Sequence, residues 1–290
     1  MPKVSVIIPV YNGAEYVREA VDSALAQCNV NVEVIVVDDG STDETPTILA
    51  GYGRSIRVLG QRNSGHVKAR NNGVKVASGE WLAFLDADDQ WLPQKLSKQL
   101  QVADVNIGMV YTDRENFGDI TRVKRTASSS FPLFEGDLFE PLLLGNFVTV
   151  SSVIIRREWF DRLGGFDEEL SVCEDWDMWL RFSAAGGKAA VCREALTRYR
   201  WHAGAMSRNA SRMCAGRLKV LQRALQTPRG REVSRTFARK AIAATWRCSA
   251  WHAQPTHRWR AFLWYLIAAW YDPWHVDDYK GMIKCCLGRD

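Results

Sequence analysis

Short β-rich runs and stretches with helical periodicity take turns through the first 86 residues. VSVIIPV (4–10) precedes AEYVREAVDSALAQ (14–27), whose apolar residues at 17, 20, 21, 24 and 25 recur at helical spacing. The exchange then repeats: VEVIVVD (32–38) before a helix opening at STDETP, SIRVLGQ (55–61) before HVKARNNGVKVA (66–77), and finally WLAFLD (81–86). At the second helix Ser41 and Glu44 fit a capping box, and Pro46 suits a first turn. Strands alternating with helices predict an α/β chain with a mostly parallel sheet and helices on both faces. Ligands of such sheets gather at the carboxyl ends of the strands.

Those ends are polar or aromatic in three places: Pro9-Val10-Tyr11-Asn12, Asp38-Asp39-Gly40-Ser41 and Asp86-Ala87-Asp88-Asp89. The last is the most demanding, because EWLAFLDADDQWLP (80–93) runs a core strand straight into three carboxylates. Their mutual repulsion and desolvation both cost free energy. Taken singly, an Asp-Asp-Gly-Ser turn is ordinarily a turn and a DxD ordinarily a solvated loop. In one sheet and in this order they converge on one chemistry, since a hard divalent cation between the carboxylates and a diphosphate makes the cluster favourable. PVYNGAEY supplies no GxGxxG after the first strand, and no GxxxxGK[ST] follows, so the dehydrogenase and ATPase signatures are absent.

The 290 residues, 47% of them hydrophobic, can fill one large domain with an appendage. A net charge of +5 hides an asymmetry: residues 198–290 carry 18 Lys and Arg against 5 Asp and Glu, the remainder 20 against 28. Seven of the twelve tryptophans also fall after position 198. The composition divides the chain into an acidic unit, 1–205, and a basic, Trp-rich helical region, 206–290. Seven cysteines with no CxxC pair, behind an N-terminus without a basic stretch and apolar core, predict reduced thiols and a cytoplasmic protein.

Six segments in order, VSVIIPVYNGAEYV, VIVVDDGSTDET, NSGHVKARNNG, GEWLAFLDADDQW, GGFDEEL and CEDWDMWLR, resemble the inverting family-2 glycosyltransferases of the GT-A fold, over roughly residues 3 to 205. The resemblance implies a Rossmann-like GT-A sheet with a C-terminal helical extension, and transfer of a sugar from a nucleotide-diphosphate donor. It implies that Pro9, Tyr11 and Glu15 line the nucleoside pocket, and that Asp39 accepts the N3–H of a pyrimidine, which favours UDP or dTDP. Arg70 falls near the base and phosphates, and Asp86 by the ribose with Ala87 beside it. Asp88 reaches the Mn²⁺ or Mg²⁺ on the diphosphate, and His202 approaches the same ion. Asp175, in the Glu174-Asp175 pair, takes the place of the catalytic base. The acceptor implied is a glycan or a lipid-linked sugar, in cell-surface polysaccharide or glycolipid assembly.

Those roles suit the chemistry. Inversion needs a base on the acceptor hydroxyl and neutralisation of the leaving diphosphate. Glu174 is expected to raise the proton affinity of Asp175 by like-charge repulsion. Trp176, Trp179, Leu180 and Phe182 form a helical stripe, which places both acids at a helix N-terminus, where anions are favoured.

Rival classes fare less well. A nucleotidyltransferase needs a Gly-rich basic loop after the first strand, and PVYNGAEY has no basic residue. A glycoside hydrolase could use two carboxylates but gives no reason for the nucleoside-pocket segments. A non-catalytic sugar-nucleotide-binding protein would keep the same acids. TRVKRTASSSFPLFEGD (121–137) and HAGAMSRN (202–209) are expected as mobile loops over donor and acceptor, and GGFDEEL (164–170) as a turn leading to the base.

The basic region raises a separate question. AFLWYLIAAWY (261–271) is eleven residues without charge, behind Arg258 and Arg260. A helix of that length, roughly 16 Å, is too short to span a bilayer. Three fates are open to it: lying on the inner face of an anionic membrane as a peripheral contact, packing against RLKVLQRALQ (217–226) and FARKAIAATWRCSAW (237–251), or closing a homodimer. A nucleic-acid partner is not expected, because no recognisable binding module is present.

Overall fold

The computed structural model describes residues 2–121, 123–202, 204, 206 and 209–287. Its strands are β1 (Lys3–Val10), β2 (Asn31–Asp38), β3 (Arg57–Gly60), β4 (Trp81–Phe84), β5 (Gln90–Trp91), β6 (Met109–Gly118), β7 (Val153–Arg156) and β8 (Ala189–Trp201). The first helices are α1 (Val17–Leu25), α2 (Thr45–Ala50), α3 (His66–Val76), α4 (Lys95–Val102), α5 (Phe139–Leu144) and α6 (Arg157–Arg162). They are followed by α7 (Glu174–Ala184), α8 (Ala210–Gln226), α9 (Pro228–Glu232), α10 (Arg235–Ala253), α11 (Arg258–Tyr271) and α12 (Val276–Leu287). These elements form two compact units, one of Met1–Leu138, Phe147–Glu169 and Ala185–His202, the other of Phe139–Asn146, Leu170–Ala184 and Ala203–Asp290.

The first unit holds all eight strands in one sheet, in the order β3-β2-β1-β4-β7-β6-β8-β5. Strands β1 to β4 run parallel, β7 is antiparallel to both β4 and β6, β8 is parallel to β6, and β5 is antiparallel to β8. The sheet is therefore mostly parallel, as the alternation predicts. Both faces are covered because strand residues alternate. Val4, Val6, Ile8 and Val10 pack in one cluster with Val17, Ala20, Val21 and Ala24 of α1 and Leu96 of α4. Ile35 and Val37 pack with Ala69 of α3 in another. Helix α3 lies so close that a Cβ on Gly73 would come within 2.6 Å of Ile7 and 3.0 Å of Val37.

The chain visits β2 and β3 on one side of β1 and then returns to β4 on the other. That reversal is a switch point, where α/β sheets bind ligands. Pairing of β1 with β4 stops at Ile7, whose carbonyl accepts the Leu85 N–H at 3.0 Å. Two residues on, Pro9 has no N–H with which to continue the ladder.

Local chemistry departs from the sequence expectation at α2. The helix starts at Thr45 and the Ser41–Glu44 capping box does not form. Instead the Ser41 N–H, which Glu44 would take in a capping box, donates to Asp38 Oδ1 at 2.9 Å, and the Ser41 hydroxyl accepts the Asn12 N–H at 2.9 Å, while the Thr45 N–H donates to Asp43 Oδ1 at 3.0 Å. Pro46 does sit in the first turn. Of segment 121–137, expected to be mobile, Arg122 lies outside the described residues, and the part from Arg125 on is tied to the sheet: Asn116 N–H donates to the Arg125 carbonyl at 2.7 Å, Ala127 N–H to that of Arg114 at 3.0 Å, and Gly136 bridges to Ala189. The expectation for 202–209 falls partly on Ala203, Ala205, Ser207 and Arg208, which lie outside the described residues.

At the opposite end of the sheet, Glu33 collects hydrogen bonds from Ser5 Oγ, Ser78 Oγ at 2.9 Å and Gly79 N–H at 3.1 Å, with Lys3 Nζ at 2.9 Å. Burial opposes the charged form, but the bonds from Ser5, Lys3 and Ser78 outweigh it and hold this carboxyl at about 2. A depressed carboxylate stabilises the fold above its unfolded value of 4.5, and the contribution is lost as pH falls from there toward 2. Allowing for partial exposure, it is worth on the order of 2 kcal/mol. Glu33→Gln is therefore expected to lower the melting temperature at pH 7, with the gap to wild type narrowing toward pH 2. A gap that stays constant across the pH series would show that the charge is not what matters there.

The second unit is helical. Helices α8 and α10 are capped by Asn209, which accepts from the Arg212 N–H at 3.0 Å, and by Ser234, which accepts from Phe237 N–H at 3.2 Å. Ala250 and Ala253 of α10, Ala261 and Tyr265 of α11 and Cys285 of α12 share a buried cluster. Arg247 of α10 adds a two-pronged bond to the buried Asp278 of α12, at 2.7 and 2.8 Å. Among the described residues, no helix is long and apolar enough to cross a membrane.

Candidate functional site

The loops after β1 and β2 are stitched together. Asn12 takes a left-handed conformation, φ 49°, which asparagine tolerates better than most residues. Its N–H donates to Ser41 Oγ at 2.9 Å and its Oδ1 accepts the Thr42 N–H at 2.8 Å. Gly13 N–H donates to Thr45 Oγ1 at 3.0 Å and Ala14 N–H to Asp43 Oδ2 at 3.1 Å. Pro9 is buried in β1, whereas Tyr11 and Glu15 are exposed, and Glu15 is hydrogen-bonded to the Tyr16 hydroxyl. Asp39 is buried, with Oδ1 accepting from Gln61 Nε2 at 2.7 Å and Ser64 N–H at 2.8 Å, and Oδ2 accepting from Gly65 N–H at 2.8 Å. A carboxylate oxygen can take two donors. Oδ2 thus keeps a lone pair beyond the one that Gly65 uses.

After β4 the charges converge. Arg70, buried on α3, meets Asp86 at 2.5 Å, and the Asp86 N–H donates to Ser151 Oγ at 3.1 Å. Ala87 is half-buried beneath the loop, its Cβ 3.9 Å from where a Cβ on Gly13 would stand. Oxygens of Asp86, Asp88 and Asp89 all lie within 4.8 Å of one another. His202, just past the end of β8, places Nε2 3.0 Å from Asp88 Oδ2, with its ring 5.2 Å from that of Tyr16. Arg200 fastens the loop from the same strand: its N–H donates to Asp89 Oδ1 at 2.9 Å, its Nε to the Asp88 carbonyl at 2.8 Å, and its Nη2 pairs with Glu19 at 2.5 Å.

Burial pushes the Asp88 carboxyl up and the Asp86 charge adds to it, while the His202 hydrogen bond pulls the other way. Burial, then the charges of Asp88 and Asp86, push Asp89 well above the usual carboxylate range. Asp89 Oδ2 is buried with no hydrogen-bond partner among the described residues. Clustered hard oxygens, an imidazole and an orphaned buried oxygen form a donor set that fits a divalent cation.

Glu174 and Asp175 belong to the second unit, in the first turn of α7. Cys173 before them is in the left-handed region, φ 62°, a strained conformation of the kind that persists at functional sites. Trp176, Trp179, Leu180 and Phe182 are buried, as the stripe predicts. Trp176 Nε1 donates to the Leu142 carbonyl of α5 at 2.8 Å, and Asn146, just beyond α5, donates Nδ2 to Asp175 Oδ2 at 3.0 Å. Glu174 is buried while Asp175 is half-exposed, so the aspartate is the accessible member of the pair.

The structure brings Asp86, Asp88 and His202 together with Arg70, and adds residues that the sequence reading did not assign: Asp89, Arg200, Gln61 and Asn146. Asp89 is the third acid of an already conspicuous run. Arg198, Arg200 and His202 repeat every second residue along β8 and its end, which marks one face of a strand. Gln61 and Asn146 are isolated amides without a local signal.

The family model described as glycosyl transferase family 2 matches residues 5–164. An uncharacterized glycosyltransferase of Rickettsia prowazekii is 38% identical over 189 residues, covering 62% of this chain and 58% of that protein. The succinoglycan biosynthesis protein ExoO of Rhizobium meliloti is 32% identical over 222 residues, 72% of this chain and 63% of its own. The chain thus spans less than two thirds of the length of these curated relatives. Among solved structures, residues 1–349 of S. aureus TarS in complex with UDP superpose with a TM-score of 0.60 at 21% identity, covering 99% of this chain and 92% of that one. The mannosyltransferase PcManGT from Pyrobaculum calidifontis, in complex with GDP-Man and Mn²⁺, gives 0.63 at 19% identity, covering 99% and 86%. At such identities the likeness concerns the fold, which is the GT-A arrangement.

Proposed function

The chain belongs to glycosyl transferase family 2, and from that premise we propose that it is a metal-dependent, inverting glycosyltransferase of the cytoplasm. In this reading a sugar passes from a nucleotide diphosphate, UDP or dTDP by preference, to a hydroxyl of a glycan or lipid-linked acceptor in cell-surface polysaccharide or glycolipid assembly. The likeness to a succinoglycan biosynthesis protein supports the polysaccharide setting. Residues 1–205 carry the chemistry and 206–290 form a basic helical extension.

The observation that carries the proposal is the convergence of Asp86, Asp88, Asp89 and His202 beyond β4, beside the switch point. The nucleoside lies against Pro9, Tyr11 and Glu15, and Asp39 Oδ2 accepts its N3–H. Arg70 holds Asp86 in place for the ribose. Asp88 and His202, with Asp89 behind them, would hold Mn²⁺ or Mg²⁺. When bound, such a cation supplies Lewis-acid neutralisation of the departing diphosphate. Asp175 takes the proton of the acceptor hydroxyl as its oxygen bonds to the anomeric carbon from the face opposite the leaving group. The carbon–oxygen bond to the diphosphate breaks with its electron pair leaving on the diphosphate, so the configuration inverts. Glu174, buried beside the base, acts through charge.

A thermal-shift panel of UDP-, dTDP-, GDP- and CMP-sugars with and without Mn²⁺ tests donor use, since a ligand of the native state alone raises its stability by mass action. A shift from a UDP- or dTDP-sugar that grows with Mn²⁺ is the expected result. No shift from any of the four sinks the reading.

A further inference from the structure

We propose that the exposed apolar face of α11 and α12 is a peripheral docking surface for an anionic lipid bilayer. The proposal is independent of the transferase reading and concerns a part of the chain that has no role in it.

The charge-free segment of α11 divides between two environments. Ala261, Tyr265, Ala268 and Ala269 are buried. Trp259, Leu263, Leu266 and Trp270 stay between 51% and 78% exposed, and their spacing of four, three and four residues makes one helical stripe. Trp274 in the following turn is 90% exposed. On α12, Val276, Tyr279, Ile283 and Leu287 repeat the pattern at spacings of three, four and four, all of them exposed. Large apolar side chains scattered singly over a surface need no explanation, but two full stripes with three tryptophans do.

The pair of helices is braced. A Cβ on Gly281 would fall 2.5 Å from the Tyr265 ring, so α12 lies against α11 at that glycine. Arg247 binds Asp278 and also reaches Asp272 at 3.5 Å. The apolar stripes are therefore presented by a packed scaffold, with their own helices' small residues already spent on the core.

Charge selects the occupant. Residues 210–287 contain 14 Lys and Arg against 4 Asp and Glu. Three of those acids are engaged locally, Asp272 and Asp278 by Arg247 and Asp277 by Lys280 at 3.2 Å. Exposed Arg258 and Arg260 flank Trp259, Lys280 and Lys284 sit among the apolar residues of α12, and the Arg239 guanidinium stands 5.4 Å from the Trp270 ring. Tryptophans interleaved with basic residues match headgroup depth and the negative potential of acidic lipids. A second copy of the chain fits poorly, since a two-fold contact through this face would bring Arg258, Arg260, Lys280 and Lys284 of both copies together.

The test uses the full chain and sedimentable vesicles of phosphatidylcholine alone or mixed equally with phosphatidylglycerol, at low salt. Binding is expected to the anionic vesicles only. The triple variant Trp259→Ser, Trp270→Ser, Trp274→Ser is expected to bind at least roughly tenfold more weakly. Arg258→Glu with Lys284→Glu loses about fivefold or more for each basic residue removed. All five side chains are exposed, so circular dichroism and the nucleotide-sugar thermal shift should match wild type, which keeps this test separate from the donor reading. Wild type that stays in the supernatant, variants that sediment equally well, or light scattering that shows a dimer abolished by the Trp substitutions would overturn the proposal.

Discussion

Asp88→Asn is expected to abolish metal-enhanced binding of the nucleotide-sugar donor without unfolding the protein. Asparagine keeps the shape and can still meet His202, now 3.0 Å away. What it removes is one of three carboxylates whose oxygens lie within 4.8 Å of one another. A cation is held by that charge density. Outer-shell partners alone contribute roughly 10- to 100-fold to metal affinity, so loss of a direct ligand should exceed that. Removing a like charge also relieves repulsion with Asp86 and Asp89, so the ligand-free melting temperature should hold or rise. Calorimetric titration of UDP with and without Mn²⁺ reads the outcome. Metal-dependent affinity equal to wild type would refute the assignment of Asp88.

The parallel half of the sheet was legible because burial on both faces writes a long apolar run, and the helices between them write a different period. Local contests were not. Ser41 and Glu44 have the capping-box spacing, yet Asp38 takes the Ser41 N–H that the box would use. Nor does any local pattern announce that β7 enters the sheet antiparallel between β4 and β6, since pairing across more than forty residues leaves no periodic trace. Segment 121–137 looked polar and loose, but backbone hydrogen bonds to β6, to which composition is blind, tie it down from Arg125 on.

The site divides in the same way. Acids at the ends of apolar strands stand out because nothing in a core explains them, so Asp39, Asp86 and Asp88 could be read from the sequence. The groups that hold them could not. Arg200 steadies the Asp88 carbonyl and Asp89 from 111 or more residues away. Gln61 supports Asp39 and Asn146 supports Asp175 through single amide hydrogen bonds. Such partners are chosen by tertiary proximity, and one amide in a loop resembles any other.

Asp175→Asn is the change expected to separate chemistry from binding, with turnover falling by roughly 10²- to 10⁴-fold and donor affinity little altered. Asp175 sits half-exposed in the first turn of α7, where a helix N-terminus favours negative charge. Its Oδ1 accepts the Trp176 N–H at 2.7 Å and its Oδ2 accepts from Asn146 at 3.0 Å, which fixes the orientation of the carboxylate. An amide in that position retains the shape and one acceptor oxygen but cannot take a proton. Glu174→Gln offers the comparison: Glu174 is buried, so its loss should change the rate less than the loss of Asp175 if it acts only through charge. Rates are to be measured once the donor panel and an acceptor screen have supplied substrates, with calorimetry of the donor run in parallel. A loss of donor affinity matching the loss of turnover would make Asp175 a binding residue, and unimpaired turnover would remove it from the mechanism. NMR of the product supplies an independent check, because a single displacement assisted by one base must give the anomeric configuration opposite to the donor's. Retention would show that the product does not arise from a single displacement on the face opposite the leaving group.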